Sequence, residues 1–168
     1  MCSISHEMQT RHHPVTWWNM KVLAGLTLIL LASDQVMLRW LDPLIEPPAW
    51  MAQLCVISGA VIFGYHYWLL RRNNRVITEP TQLQCTGGLF PWIRHPMYSA
   101  DMIINAGLVL LLVHPLTLAV WSFACVALVQ QARAEDTYLA QRFGSEHAQW
   151  REGSGLLLPR FPILRAQR

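Results

Sequence analysis

Three apolar blocks divide this chain, with polar stretches between them. Met20–Leu41 carries the run Val22–Ala32 and then Asp34 and Arg39 near its far end. Ala49–Leu70 contains no Asp, Glu, Lys or Arg, and Tyr98–Gln131 has Asp101 as its only such residue. A helix crossing a bilayer needs about 20 apolar residues to span roughly 30 Å of hydrocarbon, so the first two blocks fit one crossing each. The third would reach about 50 Å as one straight helix. His114-Pro115 lies near its middle, and proline removes a backbone donor and disfavours helix at the residue before it. The pattern therefore predicts two arms, at 98–113 and 116–133. The expected fold is an all-α integral membrane protein with four transmembrane helices. The last two form a tight helical hairpin, followed by short cytoplasmic interfacial helices at the C-terminus. Three parts follow: a polar N-terminal tail over 1–19, two N-terminal membrane helices over 20–75, and a region over 76–168 that holds the motifs described below.

Composition supports the membrane reading. Charged residues make up 14% of the 168, against about 25% in an ordinary soluble domain. Mean hydropathy is +0.25. Disordered, collagen-like and coiled-coil chains are excluded on the same grounds. The few charges are also unevenly placed. With four spans, Arg11, Lys21, Arg71, Arg72, Arg75, Arg94 and every basic residue from Arg133 onward fall on one side. The opposite loop, Asp42–Pro48, holds Asp42 and Glu46 and no basic residue. The positive-inside rule then puts both termini in the cytoplasm, with the plasma (inner) membrane as the expected location. A single long third span would throw Arg133 to Arg168 outside, against that rule. Residues 1–19 lack the early apolar core of a signal peptide. Cys2, Cys55, Cys85 and Cys125 have neither metal-ligand nor disulfide spacing, and no metal or nucleic-acid partner is expected. Gly59 and Gly64, five apart, form no GxxxG face, and the sequence leaves the oligomeric state open.

Two carboxylates inside the spans are candidate functional groups, because charge in lipid is costly. Asp101 is one turn into the third helix and near the interface, whereas Asp34 is expected to pair with a neighbouring helix. Sharper signals gather in two cytoplasmic stretches. In residues 85–100, Gly87-Gly88 permits a turn or a close backbone approach, and Arg94-His95-Pro96 opens a helix with proline at its first position. A helix starting there offers free N–H groups that suit an anion, and Arg94 adds a permanent planar cation. In residues 133–151, Glu135 and Arg142 are seven apart, two turns along one face of a continued helix and about 10 Å in rise. Such a face can line a pocket for a zwitterionic ligand or simply be solvated, and spacing alone favours the solvated face.

Arg94-His95-Pro96-Met97-Tyr98, preceded by Thr86-Gly87 and followed by a hairpin and the pair Glu135-Asp136, resembles the isoprenylcysteine carboxyl methyltransferase family, part of a broader membrane phospholipid methyltransferase-like group. The resemblance continues through Leu139, Phe143-Gly144 and Glu146 to Leu158-Pro159-Arg160-Phe161-Pro162, and covers about residues 76–162. It implies an integral membrane enzyme that binds S-adenosyl-L-methionine from the cytosol and methylates a lipophilic small-molecule or lipid acceptor. On that resemblance His95, Pro96, Met97 and Tyr98 line the cofactor pocket, Glu135 binds the cofactor, and Arg94 or Arg142 steadies an anionic group as the catalytic cation. Three departures from the family pattern fall at four positions. Ala100 stands where glycine is usual, the acidic pair is Glu-Asp, and His147 and Trp150 replace two tyrosines.

The chemistry implied is an in-line displacement in which the cofactor carries the reactive group and the protein supplies alignment. A carboxylate or thiolate acceptor needs no base, and Arg94 would position it. An amine acceptor needs one, and His95, His147, Asp101 and Glu135 are then the candidates. An isoprenylcysteine-like carboxylate is the acceptor the family suggests first; a phospholipid amine and a small thiol are the alternatives. A non-enzymatic membrane accessory protein is the competing class. A transporter is disfavoured, because no inverted repeat or broken helix pair is visible.

Overall fold

The computed structural model describes residues 15–73 and 80–160, with four helices among them: α1 (Val15–Met37), α2 (Ala49–Asn73), α3 (Pro96–Leu111) and α4 (Pro115–Gly153). Two of these, α2 and α4, are long and apolar enough to cross a membrane. Their outward faces carry Leu54, Ile57 and Val61 on α2 and Phe123 and Val126 on α4, all exposed. On α1, Leu23, Leu26, Ile29 and Leu30 are exposed in the same way. So much unpartnered apolar surface is costly in water and costs nothing against lipid tails.

Small residues set how closely the helices approach. A Cβ added at Gly59 of α2 would lie 2.9 Å from the Ala100 carbonyl of α3 and 2.6 Å from Ile104 Cγ1. One at Gly107 of α3 would lie 3.0 Å from the Ala52 carbonyl of α2. Ala52 and Ala100 are buried in this seam, so alanine at position 100 is small enough for the contact. Gly59 thus serves an α2–α3 contact within the chain. α1 lies mainly against α4.

One end of the bundle is closed by backbone bonds. α1 stops where the amides of Leu38 and Arg39 return to the Asp34 carbonyl, at 3.0 and 2.7 Å, with Arg39 at φ +52. The Asp34 carboxylate accepts from the amides of Trp40 (3.3 Å) and Leu41 (3.0 Å). The expectation that Asp34 pairs with a neighbouring helix is therefore corrected: its carboxylate holds the loop that follows its own helix. The loop beyond it meets the hairpin turn through Leu44 N–H to Val113 O at 2.7 Å. That turn falls at His114-Pro115, as the proline predicts. His114 accepts from the Leu116 amide, and the Thr117 hydroxyl accepts from the His114 amide and donates to the Leu112 carbonyl at 2.6 Å.

Two boundaries differ from the sequence reading. α3 starts at Pro96 and ends at Leu111, two residues earlier at each end than the predicted arm. α4 does not end near 133 to give way to separate short helices. It continues through the polar stretch and breaks only at Gly144, where φ +51 and ψ −116 leave helical space. The physical reason is the absence of glycine and proline between Pro115 and Gly144, together with the burial of Asp136 on one side of the polar part. Arg11, Arg75, Phe161-Pro162, the tail beyond them and most of the predicted segment 1–19 lie outside the described residues.

Candidate functional site

The other end of the bundle surrounds a cavity of about 500 Å³, within the range of small-molecule sites. All four helices reach it: Trp18 and Lys21 from α1, Phe63, Tyr67 and Leu70 from α2, Pro96, Met97 and Tyr98 from α3, and Gln131, Glu135, Tyr138 and Leu139 from α4. Arg94 and His95 line it from the segment leading into α3, and Trp150 from beyond the α4 break. Its walls are largely aromatic and aliphatic, with a few polar groups.

The Gly87-Gly88 turn delivers this segment. His66 of α2 presents Nδ1 to the Ile62 carbonyl at 2.7 Å; a carbonyl only accepts, so Nδ1 carries the proton and Nε2 accepts from the Leu89 amide at 2.9 Å. Gly88 crosses directly over that ring at φ +53, where any Cβ would come within 2.5 Å of Nε2. Only glycine satisfies both the left-handed backbone and the close approach. Phe90 then packs edge-on against His66, 5.3 Å between ring centres.

Residues 92–95 run beside 155–156 in a short parallel pairing. Arg94 N–H bonds Gly155 O (2.8 Å), His95 N–H bonds Leu156 O (3.1 Å), and Gly155 N–H bonds Trp92 O (2.9 Å). The break at Gly144 makes this possible by folding the last part of α4 back over the segment. Trp150 Nε1 donates to Phe90 O at 2.7 Å, and the Ser99 hydroxyl donates to Leu157 O at 2.5 Å.

Arg94 makes its hydrogen bonds in this corner. Its Nε donates to Asp136 Oδ1 at 2.8 Å, Nη2 reaches Oδ2 at 3.5 Å, and Nη1 donates to the Ser154 carbonyl at 2.5 Å. The two side chains are only 7% and 12% exposed. His147 Nε2 adds a 3.0 Å contact to Asp136 Oδ1, and the His95 ring is 3.9 Å away. Burial by itself would push the Asp136 carboxyl up; the His95 ring, the Arg94 charge and the His147 hydrogen bond outweigh it and hold the group well below the usual carboxylate range.

Glu135, the preceding residue, has the opposite surroundings. Its side chain is 29% exposed and faces the cavity. Oε1 accepts from the Tyr98 hydroxyl and, at 2.9 Å, from Gln131 Nε2, and Oε2 is 3.6 Å from His95 Nδ1. His95 and Tyr98 stack, 5.7 Å between ring centres. Lys21 of α1 sits over the other part of this group: Nζ is 4.3 Å from the Tyr98 ring centre and 3.4 Å from Asp101 Oδ2. Two buried polar atoms, Gln131 Oε1 and His95 Nε2, the latter 3.9 Å from Asp136 Oδ1, have no hydrogen-bond partner among the described residues.

The structure thus gathers His95, Pro96, Met97, Tyr98, Glu135 and Arg94 around one cavity. Arg142, expected to share a face with Glu135, is not among the lining residues; it is exposed, and its Nη1 donates to the Tyr138 hydroxyl at 3.0 Å. Two turns along α4 from Glu135 carry it past the cavity. Sequence reasoning missed Lys21, Gln131, Trp18 and Ser154. Their signal is tertiary: Lys21 meets residues about 80 positions away.

The family model described as the isoprenylcysteine carboxyl methyltransferase (ICMT) family matches residues 52–141, and the chain belongs to that family of membrane methyltransferases. The match begins at Ala52, so it takes in α2, which the resemblance covered only as a span; Gly59 and His66 are where α2 meets the motif region. No curated protein and no solved structure matches the chain.

Proposed function

We propose, from this membership and from the site, that the chain is an integral membrane methyltransferase that uses S-adenosyl-L-methionine and methylates a lipophilic acceptor at the cytoplasmic interface. A prenylcysteine-like carboxylate is the acceptor class placed first. The observation that carries the reading is Glu135: a carboxylate turned into an aromatic-walled cavity and held there by the neutral donors of Tyr98 and Gln131.

The residues present fit the cofactor. It is cationic at sulfur and at its amino group, and Glu135 supplies the opposite charge. Gln131 Oε1, an acceptor with no hydrogen-bond partner among the described residues, lies beside Glu135. Aromatic faces such as Trp18, Phe63 and Phe90 favour a sulfonium and exclude water. When bound, the group supplies an activated methyl for displacement. The chain does the rest: Glu135 and Gln131 orient, the aromatic walls keep the reacting centre dry, and Arg94 fixes the backbone of His95 and Pro96 from behind through Asp136 and Ser154. In this reading Arg94 acts as a positioning residue. The apolar faces of α1, α2 and α4 seat all four helices in the bilayer, both termini inside, with the cavity at the basic side.

Calorimetric titration of the purified protein in detergent with S-adenosyl-L-methionine tests the reading. Saturable binding that Glu135→Gln weakens at least about tenfold is expected. No saturable binding, or binding indifferent to that change, overturns it. Labelled-methyl transfer in membranes supplied with a prenylated cysteine, a phospholipid amine or a small thiol then identifies the acceptor, and cofactor binding without transfer to any of them indicates an accessory role.

A further inference from the structure

A cation inside the cavity would hold a carboxylate acceptor most strongly, and the geometry of the two arginines turns both away from that task. Arg94 spends its donors on Asp136 and on the Ser154 carbonyl, and its charge is matched by Asp136 in a buried pair. Arg142 lies outside the lining and bonds Tyr138. Among the described residues that line the cavity, the other lysine or arginine is Lys21.

We infer that Lys21 is the side chain that receives the acceptor's carboxylate, and that its pairing with Asp101 holds it in reserve for that purpose. The inference rests on the proposed methyl transfer and names its acceptor class as an anionic amphiphile. An ammonium has three donors. Asp101 takes one at the long distance of 3.4 Å, and the ring face of Tyr98 supports the charge at 4.3 Å. The Lys21 side chain is 14% exposed, partly stripped of water, which strengthens its attraction for an incoming anion. Tyr98 separates the two charges of the site. Its face carries Lys21 and its hydroxyl carries Glu135, so an anionic acceptor and a cationic donor are drawn to opposite parts of one ring. Position suits this as well: Lys21 is on the second turn of α1, whose next turns expose Leu23 and Leu26. An acceptor with an apolar tail in the lipid and an acidic head at the interface meets Lys21 where that apolar face ends.

The test compares binding of an S-farnesylated N-acetylcysteine with that of its carboxamide, in detergent, with and without S-adenosyl-L-methionine, for the wild type, Lys21→Met, Lys21→Arg and Asp101→Asn. Lys21→Met should weaken the carboxylate at least about tenfold and leave the carboxamide and the cofactor within about twofold. Lys21→Arg should recover most of the loss. Asp101→Asn frees Lys21 from its partner and should strengthen carboxylate binding several-fold. Opposite signs at 21 and 101 are not the signature of two residues that merely support the fold. Equal losses for carboxylate and carboxamide, carboxylate affinity unchanged by Lys21→Met, or no carboxylate binding by the wild type would each overturn the inference. The cofactor arm reports on the methyltransferase reading separately, since the Lys21 comparison is made without cofactor too.

Discussion

Glu135 and Asp136 are neighbours on α4, yet they belong to two regions with different tasks. Asp136 points into the corner where Arg94, His147 and the 154–156 segment meet, and its hydrogen bonds are to Arg94 and His147, groups that hold the chain together. Glu135 points into the cavity, where its partners are a phenol and an amide, neutral donors that orient a charge without cancelling it. One residue step along the helix, about 100° of rotation, thus divides a carboxylate paired within the protein from one open to the cavity. The distinction is not acidity or position in sequence but whether the opposing charge is supplied by the protein.

That contrast can be broken most severely at Arg94. Arg94→Ala leaves Asp136 buried without its cation, and loss of one partner of a buried pair costs about 3–5 kcal/mol. Thermal unfolding in detergent should show a large drop, with cofactor binding lost as a consequence. If Arg94→Ala keeps wild-type stability and loses only activity, the structural assignment of this corner is wrong. The pH dependence of the same corner has a fixed sign. The folded-state carboxyl of Asp136 is held below its ordinary value, so its contribution is fully present above about pH 4 and is lost as pH falls further toward the folded value. Asp136→Asn should flatten the acid limb of the stability profile.

Gly88→Ala is the next largest perturbation. It forces a Cβ into the His66 ring and strains a left-handed residue, at about 1–3 kcal/mol. The change should disturb the His95 backbone from a distance, seen as a loss in both stability and cofactor affinity. Glu135→Gln tests the other side of the contrast: about tenfold weaker cofactor binding, or roughly 1.4 kcal/mol, with the unfolding midpoint near wild type. Equal damage to folding and binding would erase the difference between the two carboxylates. The smallest effect is expected at the far end of the bundle, where Thr117→Val removes the turn hydroxyl and should cost about 1 kcal/mol of stability without touching binding.

Much of this division was legible in the chain itself. The uncharged run of α2 and the proline at 115 announced a helix and a hairpin turn because lipid-length periodicity and a missing donor act locally. Gly87-Gly88 and Arg94–Tyr98 marked the site for the same reason: a turn, a cation and a helix start are nearest-neighbour chemistry. The cation at the cavity wall was not legible. Lys21 reads as an interfacial charge until α1 is placed beside Tyr98 and Asp101, and no spacing within α1 encodes that. Asp34 looks like an intramembrane charge seeking a partner on another helix, whereas its own loop supplies the amides. His147 and Trp150, which the resemblance marks as departures, each make a hydrogen bond, to Asp136 and to the Phe90 carbonyl, and so belong to the corner. Arg142 shows the limit of helical arithmetic. Seven residues return to the same face, but not to the same depth.

The pairing of residues 92–95 with 155–156 has a consequence for how the protein is made. Arg94 and its carbonyl partner at Ser154 are separated by 60 positions. At about 5–20 residues per second, ribosomal synthesis places roughly 3–12 s between their appearance. During that interval α2 and α3 can already pack through Gly59 and Gly107, while Arg94 waits 42 positions for the carboxylate of Asp136 and 60 for the carbonyl of Ser154. The cavity is therefore the last part of the molecule to be finished. A chain ending before Ser154 holds the residues of all four helices but lacks the carbonyl that fixes Arg94.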